Sequence, residues 1–202
     1  MVGIIDYGVG NLFSLKCSFE SIGQQVLISS DEKELSKADH LILPGVGAFE
    51  DAARKLRESG LDRFVRQQVE AGKPVMGICL GMQLLFEKSY EYGEHQGLGL
   101  ISGEVVPMEG YLPEELKIPH MGWNQLHFTK ESKLFADISD GDYVYFVHSY
   151  FAEGCGDALA AVTEYGKTMT AAVEQGNLFG CQFHPEKSGN VGMAILRAFC
   201  RV

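Results

Sequence analysis

Pro74-Val75-Met76-Gly77-Ile78-Cys79-Leu80-Gly81-Met82-Gln83-Leu84-Leu85-Phe86 is an apolar run that stops at a glycine-bracketed cysteine and resumes with helical spacing. That order predicts a buried strand over Val75 to Ile78, a sharp turn at Cys79, and a helix from Leu80 toward Phe86 that carries Gln83. It is the layout of a nucleophile elbow with a thiol in the nucleophile position. Side chains at 77 and 81 would crowd the neighbouring strand and helix, so glycine is expected at both. The turn lifts the sulfur out of the sheet and sets it beside the first free N–H groups of a helix, which favour thiolate over thiol. Taken alone, Cys79 fits a small buried hydrophobe as well.

Phe183-His184-Pro185-Glu186, close to the C-terminus, supplies what a thiol nucleophile needs. It follows Leu178-Phe179-Gly180-Cys181-Gln182, which reads as a buried strand continuing to Phe183. In an extended segment alternate side chains share a face, which puts His184 and Glu186 together. Proline restricts its predecessor to extended geometry and keeps His184 out of a helix. A base requires a group that fixes its tautomer, and a carboxylate two residues away serves. A solvated strand end fits the same four residues; with Cys79 present, they complete a Cys79–His184–Glu186 triad.

Outward from these segments, the first half alternates short apolar runs with amphipathic helical patterns. Strands are expected at Val2 to Ile5, Val26 to Ser29 and His40 to Leu43. Helices are expected at Asn11 to Ile22, Glu32 to Lys37, Phe49 to Glu58 and Leu61 to Ala71. Such alternation implies βαβ units. The second half is richer in strand signals: Gly103 to Val106, Gln125 to Phe128, Tyr143 to Val147, Leu159 to Val162, Met169 to Glu174 and Leu178 to Phe183. Gly176-Asn177 reads as a turn, Gly93 to Gly103 as a surface loop, and Val191 to Arg201 as a closing helix. The fold class is therefore α/β: a mostly parallel central sheet with helices on both faces, plus additional antiparallel strands in the second half. With no linker or repeat, residues 1–202 read as one domain.

Charge narrows the function. Against 17 basic residues stand 27 acidic ones, a net charge of −10 that argues against nucleic-acid binding. The five cysteines are scattered without C-x-x-C spacing, which indicates neither a disulfide framework nor a metal site and suits a reducing cytoplasm. The first residues carry no basic leader, and no apolar run reaches membrane-spanning length. Asp6-Tyr7-Gly8-Val9-Gly10-Asn11 invites a dinucleotide reading, with Asp31 about twenty residues on. Phe13 in the third glycine position argues against it.

Leu41-Ile42-Leu43-Pro44-Gly45-Val46-Gly47 ends a strand in a loop whose glycines expose the backbone, at the carboxyl edge where α/β sheets bind ligands. The N–H groups of Val46 and Gly47, with that of Leu80, suit the oxyanion of a tetrahedral intermediate. An ordinary turn before a helix fits the tetrapeptide equally. One such donor is worth roughly 2.7–4 kcal/mol.

Gly77-Ile-Cys79-Leu-Gly81-Met-Gln83 with His184-Pro-Glu186 resembles the class I (triad) glutamine amidotransferases. Three further stretches are similar to the glutaminase subunits of imidazole glycerol phosphate synthase: Asp6-Tyr7-Gly8-Val9-Gly10-Asn11-Leu12, Leu43-Pro44-Gly45-Val46-Gly47-Ala48-Phe49 and Pro119-His120-Met121-Gly122-Trp123-Asn124. The resemblance runs from Asp6 to Lys187. It implies that Cys79 attacks the side-chain amide of L-glutamine while His184, oriented by Glu186, handles protons. Gly45, Gln83, Ser149 and Tyr150 would hold the substrate. It implies no cofactor, and a heterodimer with a HisF-type (β/α)₈ cyclase subunit that turns the ammonia into imidazole glycerol phosphate and AICAR. Trp123 and Lys187 would face that partner, although a core tryptophan and a solvated lysine fit the residues too. Three other readings remain open: a thioesterase or dienelactone-hydrolase-like enzyme, which expects its acid before the histidine; a pyridoxal-phosphate-pathway glutaminase, which carries Pro-Gly-Gly in the loop; and a binding subunit with a vestigial triad.

Overall fold

Four wholly buried or half-buried apolar runs pair side by side in parallel and set the frame of the molecule. The computed structural model describes all residues 1–202. Its strands are β1 (Val2–Ile5), β2 (Val26–Ser29), β3 (His40–Leu43), β4 (Val75–Ile78), β5 (Lys88–Ser89), β6 (His95–Gln96), β7 (Glu104–Pro107), β8 (His120–Gln125), β9 (His127–Phe128), β10 (Tyr143–His148), β11 (Tyr150–Glu153), β12 (Leu159–Glu164), β13 (Thr168–Gln175) and β14 (Leu178–Cys181). The helices are α1 (Leu12–Ser21), α2 (Glu32–Leu35), α3 (Phe49–Glu58), α4 (Leu61–Glu70), α5 (Leu80–Gln83) and α6 (Gly189–Phe199). The main sheet runs β2-β1-β3-β4-β14-β13-β12-β9. Its first five strands are parallel and the remaining pairings antiparallel. A two-stranded sheet, β10-β8, and a four-stranded one, β11-β7-β5-β6, complete the strands. The mixed α/β class expected from the sequence is the class observed.

Strand alternation explains why the sheet has two cores. Ile5, Leu41, Leu43 and Val75 face one side, with Phe49, Ala52, Ala53 and Leu56 of α3 and Leu61, Phe64 and Val65 of α4. Ile4, Ile42, Met76 and Ile78 face the other, with Leu15 and Phe19 of α1 and Ile195, Leu196 and Phe199 of α6. Neighbours in sequence therefore point to opposite faces, as a pleated strand requires, and both faces are covered by helices. The helices bury residues three and four apart and leave charged positions such as Glu50 and Arg54 outside. The Asp31 carboxylate accepts from the Lys33 and Glu34 backbone N–H groups and caps α2, which gives it a structural use.

Several expectations need correcting. The helix after Cys79 ends at Gln83, not Phe86. The carbonyls of Leu84, Leu85 and Phe86 instead accept from the backbone N–H groups of Leu98, Leu100, Ile101 and Gly99, which replace helical partners. For the same reason the Gly93–Gly103 stretch is only partly a surface loop, since Leu98 and Ile101 are buried in the core. The strand expected at Gln125–Phe128 is two strands, β8 and β9, and β8 begins earlier, at His120. Its pattern misleads because Met121 and Trp123 face outward while His120 faces in. Strand β11 follows β10 after Ser149 alone, leaving no turn signal to read. The last strand stops at Cys181, and the chain then enters a 3₁₀ turn, Pro185–Lys187.

The glycines around the elbow are required by packing. A Cβ at Gly77 would lie 2.6 Å from the Gly81 carbonyl oxygen and 2.7 Å from the Met82 Cα. A Cβ at Gly81 would collide with the backbone carbonyl of Leu43 in β3. Backbone cannot yield as a side-chain tip can. Gly81→Ala is expected to destabilise the fold by about 3 kcal/mol, at the upper end for overpacking. A urea titration of the two proteins, giving the same midpoint for both, would contradict this packing account.

Candidate active site

Cys79 sits where β4 stops, in a backbone conformation few side chains adopt: φ is 54° and ψ is −114°. For a non-glycine residue this costs on the order of 1–3 kcal/mol and persists only when the surroundings impose it. Here they do. The Cys79 N–H donates to the Cys181 carbonyl of β14 at 2.8 Å, and the Gln83 N–H donates to the Cys79 carbonyl at 3.2 Å. The thiol therefore points off the sheet edge at the start of α5.

His184 reaches the same place because β14 lies parallel to β4, with Cys181 opposite Ile78. Its N–H donates to the Tyr145 carbonyl at 2.9 Å, and its backbone is extended, with φ −100° and ψ 98°. Glu186 arrives differently from expectation. It is not an alternate residue of a strand; the 3₁₀ turn folds it back so that its Oε1 lies 2.8 Å from His184 Nδ1. The two side chains are only 4% and 2% exposed, so neither belongs to a solvated strand end. Ser188 fixes the turn: its Oγ donates to the His184 carbonyl at 2.6 Å and accepts from the Tyr145 N–H at 2.9 Å. With a carboxylate on Nδ1, that nitrogen carries the proton, and Nε2 is left for the thiol. Burial alone would push the imidazole pKa down. Hydrogen bonding and charge from Cys79 and Glu186 outweigh it and raise the value to about 9.

The Pro44-Gly45-Val46-Gly47 loop packs onto the elbow. A Cβ at Gly45 would come within 2.8 Å of the Gly81 nitrogen and 2.9 Å of the Leu80 Cβ, so only glycine fits. The buried Tyr7 hydroxyl donates to the Pro44 carbonyl at 2.6 Å and anchors the loop. Burial and the neighbouring Cys79 charge both raise the phenol pKa, keeping Tyr7 a neutral donor. Gly47 has φ of 91°, and Val46 is 43% exposed. Val46, Gly47 and Leu80 line a cleft of about 700 Å³. Cys79 and His184 lie in the same cleft, as do Gln83, Ser149, Tyr150 and Lys187.

Gln83 is placed with more constraint than the sequence suggests. It is 5% exposed, and its Nε2 donates to the Tyr150 carbonyl at 3.1 Å and to Gln182 Oε1 at 2.9 Å. Trp123 is 54% exposed against the Tyr145 ring, so it is no core residue; it stands with Met121, Tyr143 and Ile118 among the exposed large apolar side chains. Lys187 is exposed, its Nζ 5.9 Å from the centre of the Tyr145 ring. Two cleft residues, Glu91 and Glu109, and the buried Gln182 beside Cys79 escaped the sequence reading. Glu91 accepts the Phe49 N–H at the start of α3 at 2.6 Å, and burial raises its pKa. Glu109 lines the same cleft. Gln182 is wholly buried, and its only signal is a polar residue inside the apolar run from Leu178 to Phe183.

A family model for class-I glutamine amidotransferases matches residues 3–202 of this chain. The chain is 50% identical over 205 residues to "Imidazole glycerol phosphate synthase subunit HisH" of Bacillus velezensis, covering 100% of this chain and 96% of that protein. It is 52% identical over 197 residues to the protein of the same name from Lactococcus lactis, covering 97% and 96%. Among solved structures, one described as a glutamine amidotransferase superposes with a TM-score of 0.76 at 21% identity, covering 99% of this chain and 97% of the other, a likeness of fold.

Behind the cleft runs a directed chain of buried polar groups. The Tyr150 carbonyl can only accept, so His148 Nδ1, 2.8 Å away, carries the proton. His148 Nε2 then accepts from His120 Nδ1 at 3.1 Å, and His120 Nε2 accepts from Asn124 Nδ2 at 3.3 Å. Burial holds both imidazoles neutral, lowering His120 to about 4 and His148 to about 3. The unfolded chain protonates both near pH 6.5 while the native one does not, so stability falls as pH drops from 6.5 toward 4. The loss reaches up to ~2 kcal/mol for each histidine by pH 5, a pKa unit being about 1.4 kcal/mol. His120→Gln should be less stable at pH 7 yet flatter across that window, as followed by thermal melts; parallel pH profiles would refute the neutral-pair assignment.

Proposed function

The chain belongs to the class-I glutamine amidotransferases and, within them, to the HisH-type glutaminase subunits of imidazole glycerol phosphate synthase, and on that footing we propose a mechanism for its residues. Cys79 is the nucleophile, His184 the base and Glu186 the group that orients it. His184 Nε2 takes the thiol proton, and the sulfur adds to the amide carbon of L-glutamine. The oxyanion is received by backbone N–H groups of Val46, Gly47 and Leu80. As the intermediate collapses, the carbon–nitrogen bond breaks and His184 returns its proton to the departing nitrogen, releasing ammonia. Water, deprotonated by the same imidazole, then adds to the thioester; the carbon–sulfur bond breaks and glutamate leaves. The observation that carries this reading is the buried His184–Glu186 pair, 2.8 Å apart, beside a cysteine held at positive φ.

The substrate's α-groups fall to the rest of the cleft. Gln83, Ser149 and Tyr150, which line the cleft, and Gly45, packed against the elbow, shape the site around the glutamine, and the Glu91 carboxylate offers a counter-charge for the α-ammonium. The exposed apolar face around Trp123 and the neighbouring Lys187 suit contact with a HisF-type cyclase, to which the ammonia passes in a heterodimer that belongs with lyases. The reading makes the chain a cytoplasmic enzyme with one domain over residues 1–202; no helix in it is long and apolar enough to cross a membrane.

Two measurements test the assignment. In the reconstituted complex, Cys79→Ala should abolish glutamine-dependent synthesis while leaving synthesis from added ammonium salts intact; retained glutamine-dependent turnover would sink the triad. Glu91→Gln should raise KM for glutamine about tenfold with kcat within a few-fold, the signature of lost uniform binding. A fall in kcat alone would instead place Glu91 at the chemical step.

A further inference from the structure

We propose that the Gln182 side-chain amide is a hydrogen-bond donor to the Cys79 sulfur, held in that orientation by Gln83. The inference deepens the thiol mechanism above and rests on it for its catalytic meaning. Gln182 is completely buried, and its Nε2 lies 3.8 Å from Cys79 Sγ. Its Oε1 accepts from Gln83 Nε2 at 2.9 Å.

Which end of each amide is nitrogen follows from a fixed reference point. The backbone carbonyl of Tyr150 has no proton to give, so the end of Gln83 that lies 3.1 Å from it is the amino end. That nitrogen has a second proton, and the nearby end of Gln182 must accept it. The oxygen of Gln182 is thereby turned toward Gln83 and its nitrogen toward the sulfur. Rotating the Gln182 amide by half a turn would set two amino groups against each other and aim a carbonyl dipole at the sulfur. Both contacts would be repulsive, and no solvent reaches the buried amide to relieve them. The relay Tyr150 carbonyl–Gln83–Gln182–Cys79 has one direction only.

The chemical use is specific to negative sulfur. At 3.8 Å the contact is loose for a neutral thiol and tightens when charge arrives, because hydrogen bonds to ions are roughly twice as strong as those between neutral groups. Sulfur carries charge twice in the cycle: when His184 takes the thiol proton, and when the carbon–sulfur bond breaks and the thiolate departs from glutamate. The Gln182 donor lowers both states and leaves the uncharged thioester between them untouched. Differential stabilisation of that kind accelerates turnover. The same relay commits both Nε2 protons of Gln83 to the protein, so only its carbonyl oxygen is left for a substrate. Gln83 is thus a positioning residue for Gln182.

The test reads the sulfur directly. Iodoacetamide alkylation of the full chain is followed at the Cys79 peptide by mass spectrometry at pH 7 and pH 10, with exposed Cys17 as internal reference. Gln182→Met, of similar length with no donor, should slow Cys79 alkylation at pH 7 about tenfold, the effect of one hydrogen bond to a charged group. At pH 10, above the ordinary range of thiols, the two proteins should agree within about twofold. An unchanged ratio of the two rates would overturn the proposal. Should Gln182→Met fail to fold, Gln83→Met keeps Gln182 and removes its orienting donor; a fall of about threefold at pH 7 is expected, and no fall overturns the relay. Because alkylation needs no substrate, a wild-type complex that leaves glutamine untouched would refute the glutaminase mechanism and leave this result standing.

Discussion

The parallel pairing of β4 with β14 is the constraint on which the site depends. Gly77 lies opposite Gly180 and Ile78 opposite Cys181, so the two strands end level with each other. One chain turns sharply at Cys79; the other continues through Phe183 to His184. The Cys79 N–H is itself bonded to β14, so the strained cysteine and the histidine share one hydrogen-bonded frame. Glycine on both strands lets α5 lie directly on them, with Met82 packed over Gly180. A slip of one residue would turn every side chain of β14 to the opposite face and carry His184 away from the sulfur.

Around that frame, the polar groups are arranged in directed chains anchored on backbone carbonyls. Tyr150 anchors two of them: Asn124–His120–His148 from one side and Gln83–Gln182 from the other. Tyr145 and Ser188 anchor the histidine turn, and Tyr7 anchors the Pro44 loop. Each terminates on an acceptor that has no proton, which removes ambiguity about where hydrogens lie. Buried polar groups are costly when half-satisfied, and such closed chains are how a wet-chemistry site is kept inside a dry sheet edge. Glu186 Oε2 is buried without a protein partner, so the carboxylate's contact with the site runs through Oε1 and His184 alone.

The sequence was most readable where one physical signal acted alone. Apolar runs between helices marked β1, β3 and β4 to the residue, and the glycine-bracketed Cys79 declared its turn. Reading failed where tertiary pairing replaced local preference. Leu84–Phe86 had helical character, yet their carbonyls went to the 98–101 stretch. In β8 the apolar residues face outward, inverting the period that ordinarily reveals a strand. The closeness of His184 and Glu186 was foreseen for an incorrect reason, since a turn and not a pleat unites them. Glu91 and Gln182 left little trace because a polar residue acquires meaning only from what folding places beside it.

The position of β14 also sets a timetable for biosynthesis. It is among the last strands made, yet it occupies the centre of the sheet between β4 and β13. Until residue 181 leaves the ribosome, β4 has an open, apolar edge and its neighbour on that side does not exist. At a translation rate of about 5–20 residues per second, that interval lasts on the order of ten seconds. A nascent chain is thus catalytically mute throughout, and the cell must shelter one sticky strand until the final segment slides home.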